Sequence, residues 1–282
     1  MSMKKYILIS FFVLLLTGCQ TTRQNYVVLM DNSKSVSQET WDKYVSLVTN
    51  SILQNMGRFD SFTLQFIDEC SMTKSERVFN LNLADINFSL KSDGMNNAKD
   101  SMAVRLRDTI KANINRVCQI LKQKRKERAN CGNYTDILNA ISQASNLLNR
   151  GANYKSTRDM ILNSFEGTEN YDYNNSIILL SDMVNEDKGG LMNFRGIADH
   201  SNEQILTKIS QLEKSNKFPN LTDCKIFVYG ATSTLNFGAK ANLQIENTKF
   251  FWSNYFNKCG AELVAYSYDT EREIVNYVRD ER

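Results

Sequence analysis

Short continuous apolar runs alternate along the chain with longer stretches whose apolar positions recur every three or four residues. Asn25–Met30 and Ser176–Leu180 are of strand length and show no polar alternation, the pattern of strands buried on both faces, and Phe62–Ile67 predicts another strand. Lys225–Gly230 and Glu262–Tyr266 predict two more strands. Arg77–Leu83 alternates through Val78, Phe79, Leu81 and Leu83, which predicts a solvated or edge strand. Ser37 is placed to cap a helix from Gln38 to about Met56, with Trp41, Tyr44, Val45, Val48 and Ile52 on one face. A long helix is predicted over about 99–129, where Met102, Leu106, Ile110, Ile114, Val117 and Leu121 form one stripe. Another runs from Asp136 to about Asn149 with Ile137, Leu138, Ile141, Ala144 and Leu148 inward. A weak helix and a Tyr/Asn loop fill 151–174, and helices near 201–215, 239–258 and 271–279 complete the series.

Strands alternating with helices imply βα units. The predicted fold is α/β, Rossmann-like and doubly wound: a mostly parallel six-stranded sheet, one antiparallel edge strand, and helices on both faces. A single Pro and the lack of an internal repeat predict one domain over 25–282. Ligands of such sheets bind beyond the carboxyl ends of the strands, at the point where strand order reverses. Asp31, Asp182 and the loop before the helix at 136 fall on that edge.

Composition narrows the function classes. With 42% hydrophobic and 23% charged residues the chain is of ordinary globular type. A single His, His200, makes a Ser-His-Asp triad or a multi-His metal site hard to build, and its polar surroundings predict that it faces solvent. Neither a Gly-x-Ser-x-Gly elbow nor a P-loop is present, so no enzyme is expected. The formal charge of +3 calls for no nucleic-acid partner. The basic cluster Lys122, Lys124, Arg125, Lys126 and Arg128 ends the long helix, where cations suit the dipole; contact with anionic lipid headgroups or an acidic partner is the other use of such a cluster.

Lys4 and Lys5 precede an apolar run, Tyr6–Leu16, that is too short for a spanning helix of about 20 residues and suits a secretory signal. Its end, Leu16-Thr17-Gly18-Cys19, resembles the bacterial lipobox. The resemblance implies a signal peptide at 1–18, diacylated Cys19, a short tether over 19–24 and membrane contact through the lipid alone. Gln20 after the Cys, where Asp would be an inner-membrane signal, implies a cell-envelope protein of the outer membrane in a Gram-negative cell. Loss of Lys4 and Lys5 would reduce the formal charge to +1. Five cysteines then remain, enough for at most two bridges, and no Cys-x-x-Cys pair exists. Cys224 and Cys259 each precede one of two adjacent predicted strands, a register compatible with the Cα separation of up to about 7 Å that a disulfide needs. A Cys224–Cys259 bridge is therefore predicted, with Cys70–Cys131 a weaker second pair and Cys118 buried on the long helix.

The remaining motif carries the chemistry. Asp31-Asn32-Ser33-Lys34-Ser35 follows the first strand, Gly132-Asn133-Tyr134-Thr135-Asp136 precedes a helix, and Ser181-Asp182 ends the Ile177–Leu180 strand. Over about 25–280 this arrangement resembles the von Willebrand factor A domain and its metal-ion-dependent adhesion site. The resemblance implies that Asp31, Ser33, Ser35, Thr135 and Asp182 hold Mg²⁺ or Mn²⁺, with a protein partner's Glu or Asp completing the coordination. The donor types fit independently: Mg²⁺ prefers hard oxygen in an octahedron at about 2.0–2.1 Å. Met183 departs from the Gly that this family often carries after its third-loop Asp. A haloacid-dehalogenase-like phosphatase would need a second Asp where Ser33 stands. Tyr134, Met183, Leu191, Met192 and Phe194 are candidates for an apolar rim facing the partner, although Leu191 and Phe194 fit the core equally well. The competing expectation is a metal-free scaffold in an envelope complex, with Asp31 and Asp182 capping backbone amides.

Overall fold

The computed structural model describes residues 23–67, 78–83, 95–127, 134–152, 173–186, 193–194, 196–232, 235 and 237–280. The signal and lipidation readings at Cys19, the Cys70–Cys131 pair, the weak helix beyond residue 152, and Leu191 and Met192 lie outside the described residues. In chain order the elements are β1 (Arg23–Asp31), α1 (Gln38–Ser46), β2 (Ser61–Ile67), β3 (Phe79–Asn82), α2 (Met95–Glu127), α3 (Ile137–Ala152), β4 (Tyr173–Leu180), α4 (Asn202–Lys214), β5 (Lys225–Tyr229), α5 (Ala239–Lys258), β6 (Glu262–Ser267) and α6 (Glu271–Asp280). The strands form one sheet in the order β3-β2-β1-β4-β5-β6. All neighbours pair in parallel except β3, which is antiparallel to β2 at the edge.

Alternate residues of the central strands feed two apolar layers. Val27 and Leu29 of β1 join Ile177 and Leu179 of β4 and Ile226 and Val228 of β5 beneath Ile141 of α3, Ile209 of α4 and Trp252 of α5. On the other face Tyr26, Val28 and Met30 join Phe62, Leu64, Ile178 and Leu180 against Trp41 of α1, Leu121 of α2 and Ile274 of α6. Burial on both faces is why β1, β4 and β5 read as unbroken apolar runs, and the architecture is the doubly wound α/β fold that they predict.

Several boundaries differ from the sequence reading. β1 starts at Arg23, so residues 23 and 24, expected in the tether, are strand, and β4 starts at Tyr173 rather than at 176. The added residues are polar, and side-chain hydrogen bonds join the two strands there. Arg23 pairs with Tyr173 and Asn25 with Asn175; the guanidinium donates to the Tyr173 hydroxyl at 3.1 Å, and the Asn25 amide donates to Asn175 at 3.0 Å. The first helix does not continue unchanged to Met56. After α1 it widens into a π turn, Leu47–Ile52, and tightens into a 3₁₀ turn, Leu53–Asn55. There the Thr49 hydroxyl donates to the Val45 carbonyl at 2.8 Å, a competing bond of the kind that distorts helices.

The Cys224–Cys259 bridge is not formed; both residues are buried free thiols. The strand starts are adjacent as expected, with Glu262 N donating to the Cys224 carbonyl at 2.9 Å. The sulfurs, however, serve separate neighbours: Cys224 Sγ faces the Lys225 carbonyl at 3.8 Å, and Cys259 is hydrogen-bonded to Tyr255. Burial pushes both thiols up to about 12. Cys118 is half-buried rather than enclosed. His200 is also half-buried rather than solvent-facing, and its Nδ1 is enclosed without a hydrogen-bond partner. Among the described residues no helix is long and apolar enough to cross a membrane.

Candidate functional site

β1 and β4 lie side by side, while the chain leaves β1 toward β2 and leaves β4 toward β5 on the other side. This is the reversal of strand order at which α/β sheets open a crevice. Asp31 is the last residue of β1, and Ser181-Asp182 follow β4 directly. Because Met30 pairs with Leu180, Asp31 lies beside Ser181, whose hydroxyl donates to Asp31 Oδ2 at 3.2 Å. The other oxygen, Oδ1, accepts the Ser33 amide at 2.8 Å, an Asx turn that swings the chain off the strand. The turn sets the Ser33 and Ser35 hydroxyls 2.8 Å apart. Asp31 and Ser33 are buried and Ser35 is exposed, so the loop climbs from the interior to the surface.

The loop after β4 makes a second Asx turn, with Asp182 Oδ1 accepting the Val184 amide at 2.9 Å. Between them Met183 has φ 64°, left-handed backbone for which Gly is the default residue. For an L side chain that conformation costs roughly 1–2 kcal/mol. Three contacts hold it there. The Met183 amide donates to Ser181 Oγ at 3.1 Å, its carbonyl accepts the Trp252 indole N–H at 2.9 Å, and its side chain is wholly buried. Met183 therefore belongs to the core and not to an apolar rim. Phe194 does too: its ring lies 4.9 Å from Phe251 and 5.8 Å from Trp252, centroid to centroid. The aromatic face of α5 draws both side chains inward, and of the expected rim only Tyr134, half-buried, is not enclosed among the described residues.

Thr135 reaches this edge through its backbone. Thr135 and Glu186 exchange main-chain hydrogen bonds at 3.1 and 2.8 Å, which ties the loop before α3 to the loop after β4. Asn185 strengthens the tie: its Oδ1 accepts the amides of Ile137 and Leu138, at 2.8 and 3.3 Å, and so caps α3 from a different loop. Asp136 completes the cap by accepting the Asn139 amide at 3.0 Å. The structure thus brings Asp31, Ser33, Ser35 and Asp182 together and bolts the Thr135 loop beside them. The sequence reading missed Ser181 and Asn185, the two residues that join the loops. Their only signal is a polar residue directly before Asp182 and another three positions after it, which is common at strand ends.

The charges are arranged against the usual preference. Asp182 is pushed up to about 7, chiefly by burial, then by the neighbouring charge of Asp31 and also that of Glu186, with the Val184 N–H pulling the other way. Tyr44 stands close enough that burial, followed by the charges of Asp31 and Asp182, holds its phenol neutral far beyond the ordinary range. Gly230 permits this approach: its φ is 97°, and a Cβ there would stand 2.5 Å from the Tyr44 hydroxyl oxygen. Tyr266 is raised in the same way, by burial and then by Asp182.

All five predicted ligands offer hard oxygen, and the two carboxylates repel each other at a buried edge. A divalent cation would offset that repulsion, so the donor set and its electrostatics fit Mg²⁺ or Mn²⁺. Among the described residues no group of three or more His, Cys, Asp or Glu could hold a metal, so such a site would depend on hydroxyls to complete its shell. Comparison with known proteins finds no protein family that matches the chain, and no curated protein matches it.

Proposed function

We propose that the chain is a binding module rather than an enzyme, a von Willebrand factor A-like domain that captures a protein partner through Mg²⁺ at the β1/β4 crevice. The observation that carries this reading is the juxtaposition of Asp31, which is buried, and Asp182, which is half-buried, beside the paired hydroxyls of Ser33 and Ser35. Asp31, Ser33, Ser35, Thr135 and Asp182 would hold the ion. With only two charged ligands the ion would stay electrophilic and offer a position to a Glu or Asp of the partner. The surrounding loops bind and orient: the Ser181 and Asn185 bonds fix where Asp31 and the Thr135 loop stand. Met183 replaces the Gly frequent in that family and keeps the Gly-like backbone that the turn requires. The lipobox-like Leu16–Cys19 supports a lipid anchor in the cell envelope, in the outer membrane where the cell has one.

One observation favours a second reading, a metal-free scaffold. Asp31 already accepts from Ser33 and Ser181, and Asp182 from Val184, so both carboxylates serve as loop caps. The test that separates the two is capture of the same envelope protein on the immobilised chain in Mg²⁺, in EDTA and with Asp31→Asn. Capture in Mg²⁺ or Mn²⁺ alone, lost in the variant, supports the metal reading. Equal capture in all arms supports the scaffold.

A further inference from the structure

α2 concentrates positive charge. Its 33 residues hold nine Lys and Arg against three Asp and Glu, a net of +6, whereas the whole chain carries +3, so everything else sums to −3. The cations differ in what they do. Arg125 donates to the Val36 carbonyl at 2.6 Å and lies over the Trp41 ring at 4.5 Å, Arg116 lies over Phe79, and Lys124 pairs with Glu127. These are structural. Arg107, Lys111, Lys122 and Lys126 are exposed and make no such contact among the described residues. At about 100° per residue these four fall within an arc of about 100°, and they extend along about 28 Å of helix. Asp108 lies at the border of the arc.

Beside the first half of this stripe is a cavity of about 550 Å³ between α2 and the turn that follows α1. That size is within the range of ligand pockets. Met56, Leu106, Ile110 and Ile114 line it, and Arg107 and Lys111 stand at its edge. An apolar cavity bordered by cations that pair with none of the described residues is complementary to a molecule with a hydrocarbon part and an anionic head. Nucleic acid fits less well, because no aromatic residue interrupts the stripe for stacking and the remainder of the chain is net negative. A flat anionic surface suits a straight row of cations.

We propose that α2 is a lipid-contact element: Arg107, Lys111, Lys122 and Lys126 rest on the headgroups of an anionic phospholipid bilayer, and the cavity takes the apolar part of one lipid. This reading is independent of the metal site. A cation near an anionic membrane surface contributes about fivefold to partitioning, and salt screens it.

The experiment is flotation of the full chain with vesicles of pure phosphatidylcholine and with vesicles containing phosphatidylglycerol. Any N-terminal anchor acts on both vesicle types, so the ratio between them reads α2. Wild type should prefer the anionic vesicles by at least tenfold in low salt, and lose the preference at high salt. Changing all four residues to Gln should abolish the preference while leaving neutral-vesicle partition unchanged; Arg105→Gln with Arg116→Gln, on the opposite side of the helix, should preserve it. Ala103→Trp, placed to fill the cavity without altering charge, should lower anionic-vesicle partition severalfold. No preference in wild type, or a preference that survives the four-residue variant, would overturn the proposal. An unchanged Ala103→Trp protein would overturn the role of the cavity. Tighter binding to duplex DNA or polyglutamate than to the anionic vesicles would assign the stripe to a different partner and overturn the lipid reading.

Discussion

The crevice between β1 and β4 and the flank of α2 carry opposite charges and are built in opposite ways. At the crevice two carboxylates, Asp31 buried and Asp182 half-buried, are held by backbone amides and a hydroxyl, with neutral phenols beside them. On α2 four cations project into solvent with no contact among the described residues that would fix them. The first arrangement stores unfavourable electrostatics that a ligand can relieve; the second costs the fold almost nothing. A site that costs stability needs neighbours that over-determine it. The crevice has them in Ser181, Asn185 and Trp252, and α2 needs none.

The largest expected contrast is in pH dependence. The Asp182 carboxyl is raised to about 7 in the folded chain, against an ordinary value of about 4. Between those values the folded chain keeps a proton that the unfolded chain releases. This group therefore adds stability at low pH that is lost as pH rises through about 7. In EDTA the domain should be more stable near pH 5 than near pH 8, by roughly 3 kcal/mol from this group. Saturating Mg²⁺ should flatten or reverse that slope. Urea titrations at several pH values, with and without Mg²⁺, check both arms, and a flat profile in EDTA would make Asp182 an ordinary carboxylate.

Met183→Ala comes next. It keeps the left-handed backbone but removes a wholly buried side chain from beneath the site, at a cost of about 3 kcal/mol. Asn185→Ala should cost about 1–2 kcal/mol, because two α3 amides lose their acceptor. It should also weaken Mg²⁺ affinity, since the Thr135 loop loses one of its ties; unchanged affinity would place Thr135 outside the shell. The smallest effect is expected on the basic flank. Lys122→Gln should change stability by less than about 0.5 kcal/mol in the same titrations, and a larger loss would show that the stripe is structural.

Much of this architecture was legible in the sequence, for identifiable reasons. The central strands are covered on both faces, so burial imposes an unbroken apolar run that few other structures impose. The extra residues of β1 and β4 escaped because their side chains form a polar ladder, Arg23 to Tyr173 and Asn25 to Asn175, which has no periodic signature. The π turn at Leu47–Ile52 escaped because its apolar spacing still resembles a helix. The acidic and hydroxyl residues of the crevice were visible through their place after strand ends. Met183 misled because an apolar residue in a polar loop reads as rim until the aromatic face of α5 is known to lie behind it, whereas Phe194 takes the core place that was its other reading. The thiols of Cys224 and Cys259 misled for a related reason: adjacent strand starts say where the backbones are, not where the sulfurs point.

Calorimetric titration of Mg²⁺ into the chelator-stripped chain near pH 7.5 decides whether the crevice binds a divalent cation. Saturable binding of one ion per chain is expected, with proton release that is visible as a dependence of the heat on the buffer. Asp31→Asn, which keeps the shape but removes one charge, should abolish the binding. Heats indistinguishable from dilution, or an unaltered isotherm for Asp31→Asn, would contradict the account and leave the crevice as a self-capped scaffold.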